Sequence, residues 1–171
     1  MTAHVAMPSP VGELLLVASD GGLLAIRFER NRHESAVSTS SVPLADASSA
    51  EARILADARG QLDDWVRGVR TSFDLPLDLR GTPFQQRVWA ELRAIPFGQT
   101  ISYVELARRV GDAKAVRAVG AANGRNPIPL VVPCHRVIGA NGALVGFGGG
   151  LDRKRWLLRH EGALTGALTL V

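Results

Sequence analysis

The chain holds a single cysteine, Cys134, in 171 residues. A lone thiol forms no internal disulfide, and it cannot supply the several thiolates of a structural zinc site. The four histidines, His4, His33, His135 and His160, show no metal-ligand spacing, so no metal and no cofactor is expected. Long hydrophobic runs are also missing. The longest are five or six residues, far short of the roughly 20 that cross a bilayer, which excludes a membrane span. The opening MTAHVAMP has neither the basic start nor the apolar core of a secretory signal. One cysteine in a chain without such a signal fits a reducing cytosol, and a cytoplasmic location is expected. The rest is ordinary for a soluble protein, with 46% hydrophobic and 21% charged residues. The length allows one good core or two small domains.

The net charge of +4 is unevenly spread. Residues 1–80 carry 8 basic and 11 acidic side chains, a balance of −3, while residues 81–171 carry 12 and 5, a balance of +7. A basic half beside an acidic one either meets a polyanion or is a solvated basic face.

Residues 3–29 read as strands, with a turn at Pro8–Gly12, an apolar run at Glu13–Ala18, a hairpin signal at Asp20-Gly21-Gly22 and a return at Leu23–Phe28. The Ser- and Ala-rich stretch 31–48 reads as a surface loop. Ser48 and Glu51 form a capping box that opens a helix with Ile54, Leu55, Ala58, Leu62, Trp65 and Val66 at helical spacing. Phe73, Leu75, Leu77 and Leu79 alternate as in a strand. Arg80-Gly81 marks the boundary between two expected domains, 1–80 and 81–171. Past it, Thr82, Pro83 and Gln85 start a helix whose buried face carries Phe84, Val88, Leu92 and Ile95. A second capping box, Ser102 with Glu105, opens the helix Tyr103–Val110, with Val104, Leu106, Ala107 and Val110 mostly inward. Gly111-Asp112 turns the chain into a further short helix, Ala113 to about Asn123. Two short helices around a Gly-containing turn read as a helix-turn-helix, and many αα-corners share that pattern. The second helix is built from Ala115, Ala118, Gly120, Ala121 and Ala122. It offers almost no long polar side chains to read a major groove. Its smoothness suits either close helix packing or close approach to a DNA backbone.

Cys134 lies in NPIPLVVPCHRV. An apolar, Pro-bounded strand is expected to deliver the thiol to its end, followed at once by His135 and Arg136. Free cysteines are commonly buried and inert, but cationic neighbours enrich the reactive thiolate, and both readings stand on local chemistry alone. The run NPIPLVVPCHRVIG, preceded by ARAVGAANGR and followed by GFGGGLDRKRWLLRHEG, closely resembles the O6-alkylguanine-DNA alkyltransferases. The resemblance extends from about Gly81 to Glu161. Residues 1–80 match that family's small variable domain only in outline.

The resemblance implies an α+β fold. A small N-terminal α/β domain with antiparallel strands would pack on a mostly helical C-terminal domain that holds the helix-turn-helix and a short active-site strand. It implies direct-reversal DNA repair, in which Cys134 takes the alkyl group from O6-alkylguanine in double-stranded DNA, with O4-alkylthymine as a further candidate substrate. DNA would be held through the minor groove by a monomer. Arg117 would fill the gap left by the flipped nucleotide, and Tyr103 would crowd the flipping phosphate and donate to guanine. A Cys134–water–His135–Glu161 relay would ionise the thiol. Asn126 would tie the recognition helix to the active-site strand, and the carbonyls of Cys134 and Val137 would accept from the guanine amine. Phe147 would line the site. Gly148 stands where the family often has serine, which retains a backbone N–H and loses a hydroxyl. Lys154 falls in the matching basic stretch. With no resolving thiol to break a thioether, the protein would act once per molecule. The competing readings are a non-catalytic module that holds alkylated bases, a helix-turn-helix regulator and a cysteine hydrolase.

Overall fold

The apolar run beginning at Leu14 lies inside a sheet rather than at its edge. In the computed structural model, which describes residues 1–29 and 41–163, β1 (Thr2–Met7), β2 (Leu14–Ser19), β3 (Gly22–Phe28) and β4 (Ser41–Pro43) assemble in the order β3-β2-β1-β4. β2 is flanked on both sides and antiparallel to both neighbours, so five of its six residues are buried. α1 (Ser49–Val66) packs on β1, β2 and β3. It begins with the expected capping box, in which Ser48 accepts from the Glu51 N–H and the Glu51 carboxylate accepts from the Ser48 N–H. Ile54, Leu55, Ala58, Leu62 and Trp65 are buried along it, and Val66 is half-buried. These elements belong to a compact unit spanning Met1–Arg80, and a second unit spans Gly81–Val171.

Two readings of this unit need correction. The stretch expected as a loop over 31–48 ends in structure: β4 pairs parallel to β1 through Thr2–Ser41, Ala3–Val42 and His4–Pro43. The sheet is therefore not wholly antiparallel. Residues 30–40 lie outside the described residues. The alternating segment 73–79 is no regular strand. It makes one bridge, Leu23 to Leu77, through Leu23 N–H to Pro76 O and Asp78 N–H to Leu23 O, both 2.8 Å. Pro76 has no N–H to extend a ladder. Gly22 permits this approach, since a Cβ there would lie 2.6 Å from the Pro76 carbonyl oxygen.

The second unit is built on helices. α2 (Pro83–Arg93) opens with a complete capping box between Thr82 and Gln85 and has Pro at its start. Val88, Leu92 and Ile95 are buried as expected, Phe84 is half-buried, and Trp89 also proves buried. The Trp89 indole N–H donates to the Ala122 carbonyl at 2.9 Å, which fastens α2 to α4 and satisfies a buried donor. After β5 (Ile101–Ser102), α3 (Tyr103–Val110) begins at Ser102, whose hydroxyl accepts from the Glu105 N–H. The box is only half made, because the Glu105 carboxylate pairs with Arg108 and Arg109 instead. Val104 is exposed rather than inward. Gly111 ends α3 at φ +101°, a conformation glycine adopts freely. α4 (Val116–Gly124) starts three residues later than expected, because residues 112–115 form a turn in which Asp112 accepts from the Lys114 and Ala115 N–H groups. α3 and α4 pack on each other and on α2. β6 (Val137–Ile138) pairs parallel to β5, and α5 (Leu151–His160) follows.

The Thr82 cap is exposed, so its loss removes a local hydrogen bond without opening a core cavity. Thr82→Ala is expected to destabilise the second unit by about 1 kcal/mol, and Thr82→Ser to stay near wild type. Urea unfolding followed by tryptophan fluorescence checks both.

Candidate active site

Three prolines and one strained residue shape the approach to Cys134. Pro127, Pro129 and Pro133 carry no N–H, and Leu130 sits at φ +75°, an unusual conformation for a non-glycine residue. The segment is therefore a series of turns, not the expected strand. Cys134, His135 and Arg136 form a short 3-10 turn, and the strand β6 comes after the thiol rather than before it. Asn126 holds the turns, with its side-chain NH2 donating to the Val132 carbonyl at 2.6 Å and its carbonyl oxygen accepting from the Ile128 N–H at 3.0 Å.

The turn aims its side chains in different directions. Cys134 is 5% exposed. Arg136 turns away from the sulfur to grip Glu161, with Nε to Oε1 at 2.9 Å and Nη2 to Oε2 at 2.6 Å. Its Nη1 also donates to the Ile95 carbonyl at 2.6 Å. The expectation of an arginine beside the thiol is thereby corrected: Arg136 orders the carboxylate, and the cation that acts on Cys134 is Lys154. Bidentate pairing of this kind is among the stronger charge-assisted contacts. Glu161 Oε1 also lies 2.7 Å from His135 Nε2, both side chains being fully buried. Burial pushes the Glu161 carboxyl up, but the hydrogen bonds and charges of Arg136 and His135 overcome this and hold it at about 2. An ionised carboxylate only accepts, so His135 Nε2 carries the hydrogen. Burial, working against Glu161, keeps the imidazole pKa below its ordinary 6.5. His135 is therefore neutral, and its Nδ1 is a buried lone pair with no hydrogen-bond partner among the described residues.

Lys154 is fully buried. Its ammonium donates to the Val137 carbonyl at 2.6 Å and the Val145 carbonyl at 2.8 Å, and it lies 5.8 Å from the centre of the Tyr103 ring. Burial pulls its pKa down to about 8, against the favourable pull of Cys134. The Tyr103 hydroxyl donates to the Val145 and Gly146 carbonyls at 3.0 and 3.3 Å. Burial and the neighbouring Cys134 push that hydroxyl up to about 12. Two donors from different helices thus converge on Val145 and pin the segment that continues into half-buried Phe147 and exposed Gly148. Burial also pushes the Cys134 thiol up. The Asn126 amide, the Lys154 charge and the backbone N–H groups of Cys134 and His135 oppose that shift.

The structure thus gathers Cys134, His135, Glu161, Asn126, Val137, Lys154 and Tyr103. Arg117 lies apart from this cluster on the exposed side of α4, with Ala118, Ala121 and Gly124. Two residues were missed. In the sequence Arg136 is only a cation next to the thiol, although a buried arginine needs a buried acid, and Glu161 is the sole acid after residue 152. Asn123 is buried between α4 and the turn, and its amide N–H lies 3.4 Å from the Cys134 carbonyl oxygen. Its helical spacing from Val116, Val119 and Gly120 was the available signal. Among the described residues, no group of three or more His, Cys, Asp or Glu side chains is placed to hold a metal ion, and no helix is long and apolar enough to cross a membrane.

Residues 83–163 match the family described as 6-O-methylguanine DNA methyltransferase, DNA binding domain, and residues 4–79 match its ribonuclease-like domain. The chain belongs to this family, the O6-alkylguanine-DNA alkyltransferases. It is 46% identical over 161 residues to a methylated-DNA–protein-cysteine methyltransferase of Mycolicibacterium paratuberculosis, covering 94% of this chain and 93% of that one. Its identity to the protein of the same name in Methanosarcina acetivorans is 43%, with 94% and 98% covered. The crystal structure of Mycobacterium tuberculosis O6-methylguanine methyltransferase superposes with a TM-score of 0.84 at 44% identity, covering 98% of this chain and 96% of that one. A crystal structure titled as that organism's OGT in complex with DNA gives 0.83 at 44% identity, covering 94% and 93%.

The buried charges set the response to acid. Glu161 is depressed from 4.5 to about 2, so its contribution is present above pH 4.5 and is lost as pH falls towards 2. His135, held neutral, adds a loss that begins below its ordinary 6.5, because the unfolded chain takes up a proton that the folded one resists. Glu161→Gln is expected to cost about 3–5 kcal/mol at pH 7 by leaving Arg136 unpaired. The gap to wild type should narrow below pH 4.5, as read by urea unfolding across a pH series.

Proposed function

We propose that this chain repairs DNA by direct reversal, moving the alkyl group of O6-alkylguanine onto Cys134. The observation that carries this reading is the buried His135, whose Nε2 lies 2.7 Å from Glu161 Oε1 and whose Nδ1 has no hydrogen-bond partner among the described residues. That is the order of nucleophile, base and orienting acid found in activated-nucleophile sites.

The chemistry follows from these groups. A water bridging Cys134 and His135 Nδ1 carries the thiol proton to the imidazole, and Glu161 stabilises the imidazolium. The Lys154 cation and the Asn126 amide favour the thiolate that results. The sulfur attacks the alkyl carbon, so the S–C bond forms as the C–O6 bond breaks and its electron pair passes to the purine. The purine then takes up a proton, and the net change moves the thiol hydrogen to guanine and the alkyl group to sulfur. Tyr103, with its pKa near 12, stays protonated, and its single hydroxyl hydrogen turns from the Val145 carbonyl to the base as the base enters. The carbonyls of Cys134 and Val137 each retain a second lone pair for the exocyclic amine, while Phe147 and the Gly148 backbone bound the alkyl side.

DNA reaches the site by nucleotide flipping, which costs a few kcal/mol of stacking and pairing. The small exposed residues of α4 suit close apposition to a widened minor groove, with Arg117 filling the space left in the duplex. Such contact is nearly independent of sequence, which suits a search over all DNA better than a regulator's task. The second unit carries DNA binding and transfer, the first is a supporting domain, and the protein works as a monomer in a reducing cytoplasm. The lone cysteine, which a non-catalytic lesion binder does not need, disfavours that alternative.

Mixed with a duplex carrying one O6-methylguanine, the protein should gain one methyl group on Cys134 by intact mass, and never more than one per molecule. Cys134→Ser should bind the duplex without any gain. A second methyl group or turnover would overturn single use. Arg117→Ala should slow transfer from duplex by tenfold or more while leaving reaction with free O6-methylguanine base unchanged, as timed by the same mass shift.

A further inference from the structure

Arg125 is an exposed cation that nothing neutralises. It is the C-cap residue of α4, and its backbone N–H is held by the Ala121 and Ala122 carbonyls. Its guanidinium makes no hydrogen bond or ion pair among the described residues. The sequence explains why. No acidic side chain occurs from residue 113 to residue 151, so α4 and both its flanks lack negative charge. The helix before it is different, because Arg108 and Arg109 of α3 both pair with Glu105. A cation at a helix C-terminus eases the helix dipole by about 0.3–1 kcal/mol, and that role needs no ligand.

The place of Arg125 on the helix points further. Arg117, Ala118, Ala121, Gly124 and Arg125 are all exposed. They recur at i, i+1, i+4, i+7 and i+8, which puts them on one face. The small residues fill its middle and an arginine stands at each end, about 12 Å apart along the axis at about 1.5 Å per residue. A helix about 10 Å across is wider than a minor groove of about 6 Å, so such a face rides on the groove's rims, which are phosphate and sugar. Resting on the DNA-binding reading above, we infer that Arg125 is a backbone-anchoring residue whose guanidinium binds a phosphate at the rim of the groove that Arg117 enters. The planar fork of arginine matches phosphate bidentately and stays charged. The contact carries no sequence information. It fixes the register of α4 on the duplex and strengthens binding to damaged and undamaged DNA alike.

The test is the salt dependence of binding. Fluorescence anisotropy follows the full chain on an undamaged duplex over a series of salt concentrations, for wild type, Arg125→Ala and Arg125→Lys. Arg125→Ala is expected to bind about five- to tenfold more weakly at low salt, as loss of one charge-assisted contact implies. It should also reduce the slope of log K against log salt by about 0.9, the value of one phosphate. Arg125→Lys keeps the charge and loses the fork, and should recover the slope. The slope does not depend on how much of a preparation folds, so loss of folded protein cannot imitate this result. A slope in Arg125→Ala equal to that of wild type would leave Arg125 a helix-end cation only and overturn the inference. The reduced slope in a protein that takes up no methyl group from O6-methylguanine would sink the transfer reading and leave the anchor standing. A wild type that binds no duplex would overturn both.

Discussion

The site depends on one buried contact, the grip of Arg136 on Glu161. Glu161 is the shared acceptor of Arg136 and His135, and Arg136 also reaches the Ile95 carbonyl at the end of the α2 segment. A buried carboxylate alone would be strongly disfavoured. Paired bidentately, it stays ionised, and its fixed charge decides which nitrogen of His135 bears the hydrogen. The tautomer in turn leaves a lone pair on Nδ1, where the proposed reaction calls for a base. Removing Arg136 would therefore do more than loosen the fold: it would return Glu161 towards protonation and free the imidazole to take the other tautomer.

The same burial restrains the thiol. Cys134 rests on the neutral side because desolvation outweighs the nearby donors, and Lys154 rests near the edge of its charged range for the same reason. These two groups help each other, since each charged form favours the other. Ionisation of the sulfur is thus tied to the state of Lys154 and, in the proposed reaction, to His135 as the base. In the proposed reaction this keeps the buried thiol protonated, and so a poor nucleophile, until the base acts on it. Tyr103 and Lys154, both bound to the Val145 carbonyl, hold the segment around Val145 in the same network that tunes the sulfur.

Much of this was legible in the chain. The starts of α1 and α2 could be read because Ser48–Glu51 and Thr82–Gln85 are local signals whose partners lie three residues apart. The thiol, its histidine and the distant Glu161 came through the family resemblance, not through periodicity. What could not be read was set by tertiary contacts. β4 is three residues long and exists only because β1 leaves an edge for it. The alternation at 73–79 mimics a strand, yet Pro76 interrupts its ladder. The apolar run before Cys134 looked like a strand because its composition fits one, whereas three prolines and the positive φ of Leu130 impose turns. Direction was the hardest feature to foresee: adjacency in sequence put Arg136 beside the thiol, and the 3-10 turn sends it to Glu161 instead.

The protonation pattern that Glu161 imposes on His135 is read directly by nitrogen NMR of the imidazole-labelled protein at neutral pH. The expected result is a neutral ring with the hydrogen on Nε2, hydrogen-bonded to Glu161, and an unprotonated Nδ1, a pattern that persists below pH 6.5 because burial lowers the pKa. A ring protonated on Nδ1, or a fully charged imidazolium at pH 7, would contradict it, because His135 would then have no lone pair to offer the thiol.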